Sequence, residues 1–468
     1  MAQQVDVDFS RHRVSLFLEG VKTRFEELKS RDFPNSTPTE IIELIKAILE
    51  LVAKGLPQAD EKLLPLIFSL LTTYQDLLGY LDNAHTEQTP RGLVCILRQL
   101  LQETSKDSAF FASPQAAYNY GIADVQPYLI GPLKNLIGTQ DLLGLPKVAT
   151  LPIRLILFPR AERDNILAHA VFGHEIGHII AAEYLTQEAT TPAFQTALKD
   201  AIDEAVTRTN ATPSNNQANN QLNTLAYRVR IQSRLSEIRK RAMEELISDY
   251  VGALLFGPSA LLASYEIFSL ADLDLPPVPG DHYPPSRYRL RFVFQALKQE
   301  GFVDAISVLA GTSGASGSVK ALKSAFDRVE KLAGNNDDTI ALANDPIIDV
   351  AYKWVANSLD LAKQGAQQRL PKQLVYAHAL MTAEVPELIQ RLELKVPPSE
   401  LGIYPDTALP AWQSALLAGW AFTLHGKHST PTGDVDFSIG DYDTVRKLVL
   451  RAIEGIDLQQ EYAKYIAA

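Results

Sequence analysis

Cysteine is almost missing from this chain: Cys95 is the single thiol in 468 residues. One thiol forms no disulfide within its own chain and provides no thiolate set for zinc, so covalent staples and cysteine-based metal centres are both excluded. The length makes such staples unnecessary, because two or three domains of this size each bury a core of their own. Cys95 itself, in an apolar helical stretch, reads as a core residue. Basic runs are missing as well. The 44 basic and 55 acidic side chains leave a net charge of -11, and no Lys/Arg stripe is laid out for phosphates or anionic lipid, which argues against nucleic acid as a partner. The opening residues, MAQQVDVDFSRHR, are too polar for a secretory signal, and together with the scarce cysteine they imply a reducing, cytoplasmic setting. Long apolar runs are few. Val251 to Leu270 approaches the roughly 20 residues that a bilayer span requires, but Gly257-Pro258 breaks it, Glu266 lies inside it and no basic cluster flanks it. It reads as two buried helices, and no membrane span is expected.

What the sequence does contain is helical periodicity. Val14, Phe17, Leu18, Val21, Phe25 and Leu28 fall on one helix face. A second helix is expected to start at Thr37-Pro38-Thr39-Glu40, where a capping Thr, a Pro at the first turn and a Glu suited to a capping box precede Ile41, Ile45, Ile48 and Val52. Further apolar helix at Leu63–Leu81 and Leu93–Leu101 makes residues 1–105 an N-terminal helical bundle. A central segment, 106–300, contains the best strand, Ile153 to Phe158 between two prolines. A helix over 164–185 follows, started by Asp164-Asn165, and a second helix covers 222–256. The polar stretch Thr207 to Asn220 reads as a mobile loop, and Gly311 to Ser318, GTSGASGS, as a flexible linker or loop. Residues 301–468 form a C-terminal helical region. The fold class is therefore mainly α with a short β element.

The chemistry concentrates in His174-Glu175-Ile176-Gly177-His178. On a helix, a spacing of four places both imidazoles on one face, one turn apart, as a zinc clamp requires. Glu175 then projects beside the open metal position, where it can take a proton from bound water and deliver it to a leaving amine. A catalytic zinc needs a third protein ligand and a vacant fourth position. The second helix offers Glu244 and Glu245, with Asp249 one turn beyond Glu245; of Glu245 and Asp249, one can ligate while the other reaches a ligand's outer nitrogen. Glu244 competes for the ligand role, and the spacing to Asp249 favours Glu245.

The run Glu245-Leu246-Ile247-Ser248-Asp249-Tyr250-Val251-Gly252 resembles the glutamate helix of the gluzincin metallopeptidases, of the thermolysin type, and also fits the Glu-x-x-x-Asp pattern of the prenyl-protease-like zincins. The resemblance covers about residues 150 to 290 and implies a zincin-like catalytic domain, Zn2+ held by His174, His178 and Glu245, Asp249 orienting His174, and a peptide or protein substrate. Asp281-His282-Tyr283-Pro284-Pro285 with Arg287 and Arg289 is similar to the His-Pro-Pro and downstream Arg element of the prenyl-protease-like class, although Tyr283 interrupts it. On that likeness His282 and Arg287 are candidate catalytic residues. The strand Ile153 to Phe158 would lie over the cleft and pair with substrate backbone.

Plainer readings compete. His169 lies five residues before His174 and is displaced around the helix, so an ordinary hydrogen-bonded role fits it better than a metal. Trp412 and Trp420 with Leu416, Leu417 and Phe422 read as core, and His425 and His428 lack a partner set for a second metal. A different class of function also fits the motif: a helical scaffold in which zinc staples two helices and hydrolyses nothing.

Overall fold

The computed structural model describes the chain except for residues 1–6, 105–107, 138–146, 210–219, 270, 271, 276, 278–281, 335–344, 404, 405, 426, 431, 432, 437, 438 and 468. It is mainly helical, with one three-stranded sheet and one two-stranded ribbon, and divides into two compact units, Met1–Asn165 and Ile166–Ala468.

The first unit contains α1 (Val7–Leu28), α2 (Thr37–Gly55), α3 (Leu63–Asn83), α4 (Arg91–Thr104), β1 (Ala109–Gln115), β2 (Gly121–Asp124), α5 (Gln126–Ile137) and β3 (Ile153–Pro159). The periodic faces behave as their spacing predicts: Val14, Leu18, Val21, Phe25 and Leu28 of α1, and Ile41, Ile45, Ile48 and Val52 of α2, are buried in one core with Leu70, Leu71 and Tyr74 of α3. The start of α2 differs in detail. Ser36 precedes it with helical dihedrals rather than the extended geometry a capping side chain needs, so no side chain closes the cap. Cys95 is half-buried and in no disulfide, rather than a core residue.

β3 is the middle strand of its sheet, parallel to β1 and antiparallel to β2. Both of its hydrogen-bonding edges are taken, so the expected pairing of Ile153–Phe158 with a substrate strand is not available. The outer edge of β1 is closed too. Asn35 Nδ2 donates to the Phe110 carbonyl at 2.8 Å, the Thr89 hydroxyl donates to that of Ala112 at 3.2 Å, and Pro114 has no N–H to offer.

The second unit contains α6 (Phe172–Glu188), α7 (Pro192–Thr209), α8 (Asn220–Phe256), α9 (Pro258–Phe268), α10 (Ser286–Gln299), α11 (Phe302–Gly311), α12 (Gly317–Ala333), α13 (Pro346–Arg369), α14 (His378–Glu393), α15 (Trp412–Leu424), the ribbon β4 (Lys427–Thr430) and β5 (Gly433–Asp436), and α16 (Ile439–Ala467). The apolar run after Val251 is split as expected, with Gly257 at φ +56° between α8 and α9. Among the described residues no helix is long and apolar enough to cross a membrane. Within Gly311 to Ser318 the loop reading fits: Gly311 ends α11, a short turn follows, and the Ser316 hydroxyl caps α12 by accepting from the Val319 N–H at 3.3 Å. Of the stretch read as a mobile loop, Thr207–Thr209 close α7 and residues 210–219 lie outside the described residues.

The helices after residue 300 pack directly on those before it. The C-terminal end of α8 is held by the Tyr376 N–H, which donates to the Leu254 carbonyl at 2.9 Å, by Gln413, which donates to that of Leu255 at 3.3 Å, and by Trp412, whose ring meets that of Phe256 at 5.0 Å. Arg239 of α8 is buried between the rings of Phe194 and Trp354 and pairs with Glu188 at 2.7 Å, tying α6, α7 and α13 to α8. Trp412, Trp420, Leu416, Leu417 and Phe422 are core residues of α15, as their spacing predicts.

Candidate metal centre

α6 begins at Phe172, after a 3-10 turn over Ala168–Val171, so His174 lies in its first turn. The cap expected at Asp164-Asn165 does not form; Asn165 Nδ2 instead donates to the Glu162 carboxylate at 2.7 Å. What brings α6 to α8 is glycine. A Cβ at Gly177 would stand 2.5 Å from Cα and 2.7 Å from the carbonyl oxygen of Ser248, and one at Gly173 would stand 2.9 Å from Cα of Gly252. Three missing side chains let the two backbones touch, which sets the histidines of α6 against the carboxylates of α8.

One ligand atom from each of His174, His178 and Glu245 lies within 4.8 Å of the others. The two imidazoles meet edge to face at 4.6 Å between centroids, as their one-turn separation predicts. Glu245 Oε2 is 3.4 Å from His174 Nε2, and Glu245 Oε1 is 3.9 Å from His178 Nε2. Ligands of a tetrahedral zinc stand about 3.3 Å apart, so the set needs only small closure around an ion. Glu245 is almost wholly buried and its Oε1 has no hydrogen-bond partner. Arg241 approaches that oxygen only to 3.6 Å, and a buried carboxylate oxygen that makes no hydrogen bond among the described residues costs about 1–3 kcal/mol unless something satisfies it, as a cation between the imidazoles would. The donor set thus fits a divalent metal.

The outer nitrogens of both histidines face carboxylates. Asp249 Oδ1 is 2.8 Å from His174 Nδ1, and Glu244 Oε1 is 3.4 Å from His178 Nδ1. Glu244, which competed with Glu245 for the ligand role, therefore lies near the second histidine, but more loosely than Asp249 lies behind the first: among the described residues His178 Nδ1 makes no hydrogen bond. A carboxylate in the Asp249 position fixes ring orientation and raises ligand basicity. Burial opposes protonation of His174, but the charge and hydrogen bond of Asp249, with the bond to Glu245, outweigh it and raise the pKa to about 9 in the absence of metal. Burial likewise works to raise the pKa values of Glu245 and Asp249, and the charges and hydrogen bonds of Arg289 and His174 overcome it and hold both carboxyls below their ordinary values. Glu175 is half-buried on the same turn as the ligands and, among the described residues, makes no hydrogen bond or ion pair.

The arginine that reaches the cluster is Arg289 rather than Arg287. Arg287 turns to Asp274, to which it donates at 2.6 and 2.8 Å, and to the Leu332 carbonyl. Two positions along α10 amount to more than half a turn, so both side chains cannot face one site. Arg289 forks onto Asp249, Nε to Oδ2 at 2.8 Å and Nη2 to Oδ1 at 2.7 Å, while its Nη1 is 3.1 Å from Glu245 Oε2.

His282 is buried in a left-handed backbone conformation, φ 51°, with Nδ1 unpartnered, and is not among the converging donors. Its neighbour Tyr283, the residue that interrupts the Pro-Pro element, is the one that faces the cluster: its hydroxyl accepts from Arg241, whose guanidinium lies 4.3 Å over its ring. Arg241 in turn stands 3.6 Å from Glu245 Oε1. Burial first, then the charge of Glu245, raises the Tyr283 pKa. Tyr352 of α13 completes the surroundings, with a buried hydroxyl that has no partner and a pKa raised by burial and further by the charges of Tyr288 and Glu245. Tyr352 lies far outside the 150–290 region, and no spacing in the sequence points to it. His169 is buried and meets the Phe172 ring at 5.8 Å, in keeping with a packing role. Comparison of the chain with family models, with curated proteins and with solved structures finds no match.

Proposed function

We propose that the chain is a zinc-dependent metallopeptidase of the gluzincin kind, with His174, His178 and Glu245 as metal ligands and Glu175 as general base. The observation that carries this reading is the convergence of two imidazoles and one buried carboxylate from helices 67 positions apart, with a carboxylate near the outer nitrogen of each ring. Incidental histidines on a helix would not be expected to meet a buried glutamate oxygen that, among the described residues, makes no hydrogen bond. The donor set, nitrogen twice and oxygen once, suits zinc, and three donors among the described residues would leave a position for water, whereas a structural zinc is closed by a fourth side chain.

When bound, zinc supplies a water of lowered pKa and a Lewis acid for the substrate carbonyl. Glu175, one residue from a ligand and without a competing partner, takes the proton from that water and returns it to the departing amide nitrogen. Tyr283, held by Arg241, presents a hydroxyl beside Glu245, where it can donate to an oxygen of the bound peptide. The proposed substrate is a peptide or protein.

The test is elemental analysis of the purified protein followed by digestion of a peptide library read by mass spectrometry, run beside Glu175→Gln. One zinc per chain, cleavage by the wild type and none by the variant are expected. A metal-free wild type under non-chelating conditions, or cleavage that persists in Glu175→Gln, would remove the proposal. Zinc without any cleavage would favour the staple instead.

A further inference from the structure

Arg289 is the best-anchored charged side chain around the metal centre. It is 11% exposed, its guanidinium is forked on Asp249 and reaches Glu245, and both of those carboxylates are only 2% exposed. Its fourth contact is with the imidazole of His174, Nη2 to Nδ1 at 3.3 Å, and its Cζ lies 5.0 Å over the ring of Phe268. Every group that a metal would draw together on the His174 side is therefore already held by one planar cation. Arg241 is the other arginine beside Glu245, but at 3.6 Å it is further away and, at 33% exposed, largely wet.

A guanidinium so close to the ligands works in two opposed ways. It keeps two buried carboxylates from repelling each other, and it repels an incoming divalent ion. Buried carboxylates that lose their cation are costly, whereas a carboxylate already bound to a metal needs no second cation. The first effect is therefore largest in the metal-free protein, and the second exists only in the metal-bound one. From this we infer that Arg289 is a positioning residue that stands in for the metal's charge, keeping Glu245 and Asp249 aligned on α8 when no ion is present. The inference rests on the metal-site reading. Its consequence is that the site is assembled before metal arrives, and that metal loss is reversible without unfolding of α6 or α8.

The measurement is thermal unfolding of the full chain at one pH, with zinc and after removal of zinc by a chelator, for wild type, Arg289→Met, Arg289→Lys and the double variant Asp249→Asn with Arg289→Met. Metal-free Arg289→Met is expected to melt about 5 °C or more below metal-free wild type, with the gap at least halved when zinc is bound. By linkage, zinc must then bind the variant at least as tightly as wild type in a competition titration with a chelating dye. Arg289→Lys, which keeps the charge but not the fork, should fall between the two. Removing the matching charge in the double variant should restore most of the metal-free stability, which a purely packing role for Arg289 would not allow.

Should Arg289→Met fold only with zinc and collapse on chelation while wild type survives, the inference stands. An Arg289→Met deficit that is the same with and without zinc, or a double variant no more stable than the single one, overturns it. So does an Arg289→Met protein that fails to fold even with zinc. Failure of wild type to take up zinc would instead remove the metal reading, and the comparison of metal-free variants would still report whether Arg289 holds the carboxylates.

Discussion

At the scale of single residues, the roles proposed for Glu175 and for the three candidate ligands separate by what each substitution removes. Glu175→Gln keeps the shape and all three donors, so it is expected to retain zinc and lose turnover by about 10²-fold or more. His178→Ala or Glu245→Ala is expected to lose the metal itself, which elemental analysis distinguishes from a loss of turnover alone. His174 adds a pH dependence in the metal-free protein. Its pKa is raised from 6.5 to about 9, because Asp249 and Glu245 outweigh burial. Stabilisation from its protonation is full below the unfolded value near 6.5 and fades as pH rises through about 9. Metal-free wild type should therefore lose stability across that window, read as a falling urea midpoint, and His174→Gln should lack this component. A wild-type midpoint that is flat from pH 6.5 to 9 would contradict it. His174 and His178 were legible because a spacing of four places them on one helix face; Glu245 rested on its spacing to Asp249 and on the resemblance, since the pattern of one helix does not say which second helix it meets. Arg289, Tyr283 and Glu244 were not legible as partners, since which of two neighbouring residues faces a site depends on the rotation of its helix about its own axis, and no local pattern encodes that.

At the scale of elements, the centre depends on how closely α6 lies on α8. The glycines that permit this, Gly173, Gly177 and Gly252, lie within or beside the motif helices, but their meaning emerges only from the crossing. Gly177→Ala would put a methyl 2.5 Å from the Ser248 backbone, where nothing flexible can yield, so the helices must part. Overpacking of this sort costs about 1–3 kcal/mol, and here it also draws the imidazoles away from Glu245. Gly252→Ala meets its nearest neighbour, the His174 nitrogen, at 3.1 Å and should be milder. The expected order, in both melting temperature and zinc affinity by chelator competition, is wild type, Gly252→Ala, Gly177→Ala. Zinc affinity equal in all three would mean that the crossing distance does not set the site. The strand record follows the same logic of local against distant information. β3 was legible from its apolar run between prolines, whereas β1, AFFASPQ with an internal proline, and the four-residue β2 are strands only because β3 lies between them to pair with. The cleft role assigned to Ile153–Phe158 failed for that reason: an edge strand and a central strand share one sequence signature.

At the scale of the whole molecule, the three proposed ligands, Glu175, Glu244, Asp249, Arg289 and Tyr352 all belong to the unit Ile166–Ala468. Segment boundaries drawn at 105 and 300 from composition and turn residues lie inside the two units rather than between them. The helices beyond 300 have no chemical motif of their own, yet they contribute Trp354 against Arg239, Tyr376 and Gln413 on the last carbonyls of α8, and Tyr352 against Tyr288 of α10. A fragment covering 166–468 should accordingly fold cooperatively and bind one zinc, since its length suffices for a core of its own. A fragment covering 106–300 should not, because truncation leaves Arg239 buried on one side and bare on the other, and strips Trp412 from Phe256 and the caps from the end of α8. Circular dichroism melts and zinc stoichiometry of the two fragments decide the matter. If the shorter fragment binds zinc and melts cooperatively, the C-terminal helices are an accessory to the centre. If the longer one alone does so, helices α13 to α15 are as much a part of the metal site's foundation as the two helices that carry its ligands.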